Sequence, residues 1–551
     1  MGPCGGRPYD GGVAIRQPPF VKQSKRLPAA IRRSLTPALY GSAGQRIWVS
    51  EPDLQVAVEE KSEGNEALGL RDQVRRAVLW RSGSQIAAQL VTWMATFLVI
   101  RLLGPSDYGL FAMAQAVLVF MNLMSGWGYA TALIRQDTVS PLQIRQAFGM
   151  LVLMNIGLAA GQALLAPLAA SYFHQPMVAD LLRVQALLYL ATPFIALPTA
   201  LLQRRLDFRR QAQTHLVATM LSAATAVACA SAGWGVWTLV AAPLVLFWTQ
   251  AIGLTWAARS LVWPSFRFAG ASAIFRYGSA MIAVQFCWFV QSQSDVFIAG
   301  RVVEPHQLGL YTTALFLTQI FTSKFVPALN DVAFAAYAQI KERPEGVGPA
   351  FLSGVRMVML ISLPFYFGLA ATAEPLIQTL LGPKWIETIP FVRLLAWAMP
   401  FMTLQLLFQP ATNAIGRHGL TLRAAMTGAV VMPIAFLIGV RFGTIGLAWA
   451  WLIGFPLYTV ATAAISLPAI GASAGGLVRA VAPGLGAAAA MAAAVAGLDS
   501  LLPAMAPGAR LLILVPFGAA TYCGLLFAFA RPLVEEVLSL VLRRPMAATA
   551  A

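Results

Sequence analysis

A few ionisable side chains lie in or beside long apolar runs, and these are the residues of this sequence that could do chemistry. Lys324 and Asp295 lie within such runs, and Arg81 and Arg276 lie near the starts of two others. An ionisable group at the centre of a membrane costs about 2.5–3.5 kcal/mol on insertion scales, so it usually faces a cavity or a partner. Lys324 could therefore face a hydrated cavity, or it could snorkel or pair with Asp295 or Asp331.

Motifs for covalent chemistry are absent from the sequence. It contains no Gly-rich phosphate loop ending in Lys and Ser/Thr, no HExxH and no nucleophile elbow. The cysteines have no metal-ligand spacing, and three of the four lie inside apolar segments. We therefore expect a protein that is not an enzyme and that holds no metal and no organic cofactor.

The composition is that of a polytopic membrane protein. Of 551 residues, 58% are hydrophobic and 11% are charged, whereas soluble domains carry about 25% charged residues. The mean hydropathy is +0.69. The net charge of +17 comes from Arg and Lys in short loops between apolar runs, which is typical of the positive-inside rule. We therefore expect membrane lipids as partners and no nucleic acid.

An internal repeat organises the chain. Residues 101–111 read RLLGPSDYGLF, and residues 301–311 read RVVEPHQLGLY. Each copy follows one long apolar run and precedes another. Pro ends the first helix of each hairpin because it lacks an N–H donor and restricts the preceding residue, and Gly allows the second helix to pack closely.

The apolar runs predict an all-α fold with about fourteen transmembrane helices. The predicted spans are residues 77–103, 108–134, 147–172, 178–202, 213–232, 235–258, 272–300, 307–335, 352–373, 388–414, 420–440, 443–468, 479–498 and 510–530. An even number of spans in each half gives the two halves the same orientation. We therefore expect two parallel six-helix repeats, with a site between them near the midplane, plus two C-terminal helices.

Composition shifts predict the domain boundaries. Residues 1–72 are rich in Gly, Pro, Arg and Ser and are interpreted as a disordered cytoplasmic tail. The two six-helix bundles are then residues 73–260 and 261–470, the additional helices lie within 471–532, and 533–551 form a cytoplasmic tail.

Basic residues in the loops predict the orientation. They precede the first span and follow the second, fourth, sixth, eighth and tenth, whereas the loop after the third span carries only His174 and Asp180. Both termini are therefore expected in the cytoplasm.

Several stretches resemble the Wzx-type polysaccharide flippases, in particular the lipopolysaccharide-exporter branch of the multidrug/oligosaccharidyl-lipid/polysaccharide exporter superfamily. They are IRLLGPSDYGL at 100–110, ALIRQ at 132–136, LLQRRLDF at 201–208, DVFIAGR at 295–301 and GPKW at 382–385. The resemblance covers about residues 74–468 and rests on these motifs together. The N-terminal tail departs from the family pattern.

The resemblance implies a function in polysaccharide assembly. The implied activity is the transfer of a polyprenyl-diphosphate-linked oligosaccharide across the bacterial inner membrane for exopolysaccharide, capsule or O-antigen assembly, by alternating access without ATP. A polysaccharide polymerase and export machinery are the implied protein partners.

Such a substrate gives the charged residues candidate roles. A sugar diphosphate needs a cationic, hydrated cavity with amides and aromatic rings. Lys324 could bind the diphosphate there, and Arg81 and Arg276 could bind it on entry or could simply anchor their helices. Asp295 could bind a coupling proton or sodium ion, or it could hold a polar packing network together.

Two other functions remain open at the level of the sequence. A cation-coupled antiporter for drugs or small molecules would have a lone acidic residue in an apolar or aromatic chamber. A membrane polymerase or ligase would have a large external loop, and the external loops here are short.

Overall fold

The computed structural model describes residues 83–122, 141–205, 207–260, 262–266, 272–340, 346–529 and 531, with side chains from residue 285 onward in the helix that begins at Ser272. These residues form helices and turns, with no β-strand among them. The α-helices, numbered α1–α19 in chain order, are Gly83–Leu102, Pro105–Asn122, Pro141–Phe173, Pro176–Gln185, Leu187–Ala191, Pro193–Arg204, Phe208–Ser231, Trp237–Ala258, Ser272–Val302, Pro305–Lys324, Val326–Ile340, Gly348–Ala371, Ala373–Leu380, Ile389–Leu406, Phe408–Ala414, His418–Gly439, Gly443–Ile470, Ala474–Leu501 and Pro507–Phe529.

The all-α polytopic fold class is confirmed. Each predicted span coincides with a helix over at least part of its length, and ten helical stretches of the described residues are long and apolar enough to cross a membrane. The number of about fourteen spans stays a prediction. So do the predicted domain boundaries, and residues 1–82 and 532–551 lie outside the described residues.

Prolines divide three of the predicted spans into shorter helices. The span predicted at 307–335 breaks at Phe325, two residues before Pro327, and continues as α11. Because proline lacks an N–H and clashes with the preceding turn, it starts a helix more readily than it continues one. The span predicted at 178–202 is divided into α4, α5 and α6; the second of these breaks precedes Pro193, where α6 begins, whereas the first, at Ala186, has no proline beside it. The third, predicted at 388–414, breaks at Leu407 between α14 and α15, and α15 carries Pro410.

Corresponding helices of the two halves pack in similar pairs. Helix α7 packs along α8 in the first half, and α16 packs along α17 in the second. In the second pair the backbones approach closely, because a Cβ on Gly446 would lie 2.0 Å from the Gly439 carbonyl oxygen. The C-terminal helices belong to the second half, where α18 packs against α12 and α19 packs against α18.

The two ends of the helix bundle differ in sequence. We call the end with Pro105 and Pro305 the motif end, because it carries both copies of the repeat. We call the opposite end, where α6 and α8 finish, the basic end, because it carries many arginines. Its first-half arginines among the described residues are Arg145, Arg204, Arg205, Arg209, Arg210 and Arg259.

Candidate functional site

The two copies of the repeat meet each other at the motif end. A Cβ on Gly109 would lie 1.9 Å from the Pro305 carbonyl oxygen, and a Cβ on Gly309 would lie 1.8 Å from the Pro105 carbonyl oxygen. Only glycine permits so close a backbone approach. Helices α2 and α10 therefore cross reciprocally, and the crossing joins the two halves at this end.

A short 3-10 helix of the second half, Pro383–Thr388, caps the last helix turn of α1. The indole Nε1 of Trp385 donates to the Ile100 carbonyl oxygen at 2.9 Å, and Nζ of Lys384 donates to the Leu102 carbonyl oxygen at 3.0 Å. The last carbonyls of a helix have no partner within it and need one elsewhere. Trp385 is fully buried and meets the ring of Tyr108 edge-on, with centroids 5.5 Å apart. The first half thus depends on the second for its helix cap.

A reciprocal contact joins α3 to the end of α9. The Tyr172 hydroxyl donates to the Phe297 carbonyl oxygen at 3.2 Å, and the guanidinium of Arg301 lies 5.2 Å from the Tyr172 ring centroid. The ring of Phe173 packs against the backbone of Gly300, where a Cβ would lie 2.9 Å from two of its ring atoms. Together with the α1 cap and the glycine crossing, this contact closes the motif end.

A cavity of about 740 Å³ lies between the halves, inside this closure. Its walls come from α1, α2, α7 and α8 of the first half and from α9 and α10 of the second. Hydroxyl and amide groups are numerous in the wall. They belong to Gln89, Thr92, Thr96, Gln115, Thr219, Ser222, Thr238, Ser292, Gln293, Thr312, Thr313 and Gln319.

The charge of the cavity wall is basic. Lys324 and His215 are the ionisable wall residues apart from Tyr108, and no described wall residue carries a carboxylate. Lys324 is the last residue of α10, so it lies roughly 28 Å along the helix from Pro305, toward the basic end. Its side chain is exposed, and none of the described residues forms an ion pair or hydrogen bond with it. Its ammonium is available to an anion.

Asp295 lies in a different environment. It is fully buried in α9; its Oδ2 accepts from the Tyr311 hydroxyl at 2.7 Å, and its Oδ1 accepts from the Val296 N–H at 2.8 Å. The Tyr311 hydroxyl accepts in turn from Nε1 of Trp451 at 2.6 Å. Asp295 is not a wall residue of the cavity. The network holds α9, α10 and α17 together, and the predicted coupling role of Asp295 stays a prediction.

Two candidates from the sequence cannot be placed at the site. Arg81 lies outside the described residues, and Arg276 lies in α9 where the structure describes the backbone alone. Their predicted roles in substrate entry stay predictions.

Sequence reasoning missed His215 and the threonine-rich stripes of the wall. Positions 215, 219, 222 and 226 of α7 all face the cavity, at the spacing of one helix face. The sequence signal for His215 was a histidine inside a predicted span, but its face was not visible, because α7 carries polar residues on other faces as well.

The arrangement suits the reversible binding of an anionic, hydroxylated solute. Lys324 can donate up to three hydrogen bonds to phosphate oxygens. Hydroxyl and amide groups can donate to or accept from sugar hydroxyls, and the rings of Tyr108, Phe111 and Phe316 supply apolar surface. Among the described residues no group of three or more metal-ligating side chains occurs.

Known proteins resemble this chain over most of its length. The family model described as "Polysaccharide biosynthesis protein" matches residues 98–390. The succinoglycan biosynthesis transport protein ExoT of Rhizobium meliloti (strain 1021) is 26% identical over 379 residues, which cover 69% of this chain and 77% of the relative. The lipopolysaccharide biosynthesis protein WzxC of Escherichia coli (strain K12) is 20% identical over 330 residues, covering 60% of this chain and 67% of the relative. The family resemblance of the sequence is thereby confirmed.

The fold has a counterpart among solved structures. The lipid II flippase MurJ in an inward closed conformation matches with a TM-score of 0.68 at 12% identity, over 83% of this chain and 100% of that one. At this identity the match bears on the fold alone.

Proposed function

Because the chain belongs to the polysaccharide biosynthesis protein family, we propose that it is a flippase for lipid-linked oligosaccharides. Its substrate is a polyprenyl-diphosphate-linked repeat unit, and it moves this unit across the bacterial inner membrane for exopolysaccharide, capsule or O-antigen assembly. It makes and breaks no covalent bond, in keeping with the transport role in the name of ExoT.

The observation that carries the proposal is the chemistry of the cavity between the halves. It combines one lysine, one histidine, many hydroxyl and amide groups and, among the described wall residues, no carboxylate. A diphosphate brings negative charge that a wall with carboxylates would repel. A drug antiporter would instead need a carboxylate facing the cavity to hold a cation, whereas Asp295 is buried in a packing network outside the wall.

The position of Lys324 determines how the substrate enters the cavity. Its ammonium lies at the end of α10 nearer the basic end, which the positive-inside rule assigns to the cytoplasm. A diphosphate entering from the cytoplasmic leaflet meets Lys324 first, while the sugars extend toward the hydroxyl and amide stripes. Both chain termini then lie in the cytoplasm.

Transport requires the closed motif end to open. The glycine crossing, the α1 cap and the Tyr172 contact must separate while the basic end closes, which exposes the cavity to the other side. Each hydrogen bond among these contacts is worth about 0.5–1.5 kcal/mol, and a bias of about 5.5 kcal/mol inverts a two-state equilibrium from 1:99 to 99:1. Differential substrate binding and a coupling proton or sodium ion, with Asp295 as its candidate site, supply that bias without ATP. The polymerase and export machinery take up the product.

The test is a gene deletion complemented with variants. Lipid-linked repeat units should accumulate in the cytoplasmic leaflet of the deletion strain, and Lys324→Ala should restore less than about a tenth of the polymer that the unaltered protein restores, since a charge-assisted hydrogen bond is worth about 1.5–3 kcal/mol. Lys324→Arg should retain most of it. Arg417→Ala, which removes an exposed basic-end cation outside the cavity, is the matched control.

Membrane levels of each variant must be equal for the comparison. Full polymer output from a stably inserted Lys324→Ala protein would refute the binding role. A deletion strain without accumulated intermediates would refute the flippase function itself.

A further inference from the structure

A second concave site lies on the outer face of the first half. It is a groove of about 940 Å³ between α7 and α8 near the basic end. Of the two helices, α7 also forms a wall of the central cavity, so the groove and the cavity lie on different faces of one helix. Thr214 lines the groove, and its neighbour His215 lines the cavity.

Two arginines stand at the basic end of this groove. The Arg210 guanidinium is engaged, since Nη1 donates to the Ala257 carbonyl oxygen at 3.1 Å and Nε lies 3.3 Å from Asp207 Oδ2. Arg259 is exposed, and its side chain forms no ion pair or hydrogen bond with the described residues. One uncompensated cation therefore faces the groove.

The backbone of Arg259 is itself unusual. Its φ of 48° places it in the left-handed region at the end of α8, where glycine or asparagine is usual and other residues cost about 1–2 kcal/mol. The fold would be at least as stable with glycine. An arginine at this position is therefore not explained by the backbone turn it makes.

Large apolar side chains continue the groove toward the middle of the bundle. Trp256 is 84% exposed, Ile252 68% and Trp248 39%. From Trp248 to Arg259 the helix rises roughly 16 Å at about 1.5 Å per residue, which is about half of a 30 Å hydrocarbon core. The site has the length of one leaflet, with its cation at headgroup level and its apolar surface beside the acyl chains.

The corresponding helices of the second half give a contrasting groove. Between α16 and α17 lies a groove of about 710 Å³ whose wall residues include no charged or polar side chain. Trp449, which is 49% exposed, lines it. This second groove lies near the motif end, whereas the α7–α8 groove lies near the basic end, and of the two only the α7–α8 groove has arginines beside its exposed apolar surface.

We propose that the α7–α8 groove binds an anionic phospholipid of the leaflet at the basic end, with its phosphate on Arg259 and an acyl chain along Trp256, Ile252 and Trp248. The Arg259 cation, which has no partner among the described residues, selects an anionic headgroup, and the one-leaflet length fits a phospholipid. The bound lipid supports α7 from the side opposite the cavity. This site does not depend on which solute the cavity transports.

The test measures lipids retained by the purified full-length protein. The protein is reconstituted with phosphatidylglycerol and phosphatidylcholine in equal amounts, extracted in mild detergent, and its bound lipids are counted by native mass spectrometry. We expect phosphatidylglycerol to be enriched on the unaltered protein. Arg259→Gly should lower that enrichment about fivefold, since one cation near a membrane surface is worth about 1 kcal/mol.

Matched variants separate the site from general charge and fold effects. Arg259→Lys should keep the enrichment and Trp256→Ala should reduce it. Arg417→Ala, a basic-end cation outside the groove, and Trp449→Ala, in the apolar groove, should leave it unchanged. Arg259→Gly should melt no lower than the unaltered protein.

Two results would overturn the proposal. One is equal enrichment of phosphatidylglycerol on Arg259→Gly and on the unaltered protein. The other is displacement of phosphatidylglycerol by undecaprenyl diphosphate with the same dependence on Arg259, which would assign the groove to a prenyl diphosphate instead. Lys324→Ala should lose transport but retain the phosphatidylglycerol enrichment, so either proposal can be refuted without the other.

Discussion

Replacing Trp385 by phenylalanine should weaken the closure of the motif end. The substitution keeps an aromatic ring against Tyr108 but removes the Nε1 donor that lies 2.9 Å from the Ile100 carbonyl oxygen. This hydrogen bond joins residues 285 positions apart and connects the two halves. It is absent when the halves separate, so its loss affects the closed state alone.

The size of the effect follows from the burial of Trp385. The side chain is fully buried, so phenylalanine leaves the Ile100 carbonyl without its partner in the closed state, whereas water satisfies that carbonyl once the halves separate. An unsatisfied buried group costs about 1–3 kcal/mol. The open population should therefore rise about 5- to 150-fold.

A cysteine in the cavity wall reports that population. Thr312→Cys lies in the wall, about two turns into α10 from Pro305, in a protein whose native cysteines have been replaced by alanine. The rate at which a membrane-impermeant maleimide labels it from the motif-end side is proportional to the open population when opening is fast. We expect Trp385→Phe to raise this rate at least fivefold.

The control is a tryptophan elsewhere in the same half. Trp397 is 41% exposed in α14 and packs against Phe367 with centroids 4.5 Å apart. Trp397→Phe should leave the labelling rate unchanged. An unchanged rate in Trp385→Phe as well would show that the α1 cap does not hold the halves together, and the reasoning on the closure would be refuted.

Three further variants test other parts of the structure. Gly109→Ala would place a Cβ 1.9 Å from the Pro305 oxygen, so it should destabilise the protein by about 1–3 kcal/mol and lower its melting temperature. The control Gly161→Ala, whose Cβ would have no atom within 4 Å, should leave the melting temperature unchanged. Equal shifts in the two variants would contradict the glycine crossing. Arg510→Ala removes a bidentate pair whose Nη2 lies 2.7 Å from both Asp499 oxygens, with side chains 23% and 19% exposed. The melting temperature of Arg510→Ala should fall more than that of Arg183→Ala, because the Arg183–Asp180 pair is 52% and 56% exposed and an exposed ion pair stabilises little. A larger fall in Arg183→Ala would contradict this prediction. Asp295→Asn keeps an oxygen that can accept from the Tyr311 hydroxyl but removes the charge. Transport in vesicles by this variant should no longer depend on the proton or sodium gradient. If the dependence is unchanged, Asp295 is not the coupling site.

The repeat shows how far sequence reasoning reached. The two copies, their prolines and their glycines were visible in the sequence, and the helices that they begin are confirmed. That Gly109 and Gly309 meet the opposite prolines was not visible, because local patterns carry no information on which distant segments touch. The crossing follows only from the three-dimensional arrangement of the halves.

Because local patterns do not show which distant segments touch, the contact of the GPKW motif with α1 was also missed. The segment at 382–385 was recognised as a family motif, yet its role as a cap for α1 depends on a carbonyl from the other half. His215 is a different case, because a histidine inside a predicted span was visible in the sequence, whereas the face on which it lies was not. Lys324 was found from the sequence because a lysine in an apolar run is costly unless it faces water. The break at Phe325, which puts Lys324 at a helix end, could have been expected from Pro327.

The most direct measurement of the central claim uses purified protein in liposomes. Lipid-linked repeat units extracted from the deletion strain are placed in the outer leaflet, and their transfer to the inner leaflet is followed without ATP, with proton and sodium gradients imposed across the liposome membrane. The account predicts transfer by the unaltered protein and by Arg417→Ala, and at least about tenfold slower transfer by Lys324→Ala. Equal rates for the unaltered protein and Lys324→Ala, or no transfer at all, would contradict it.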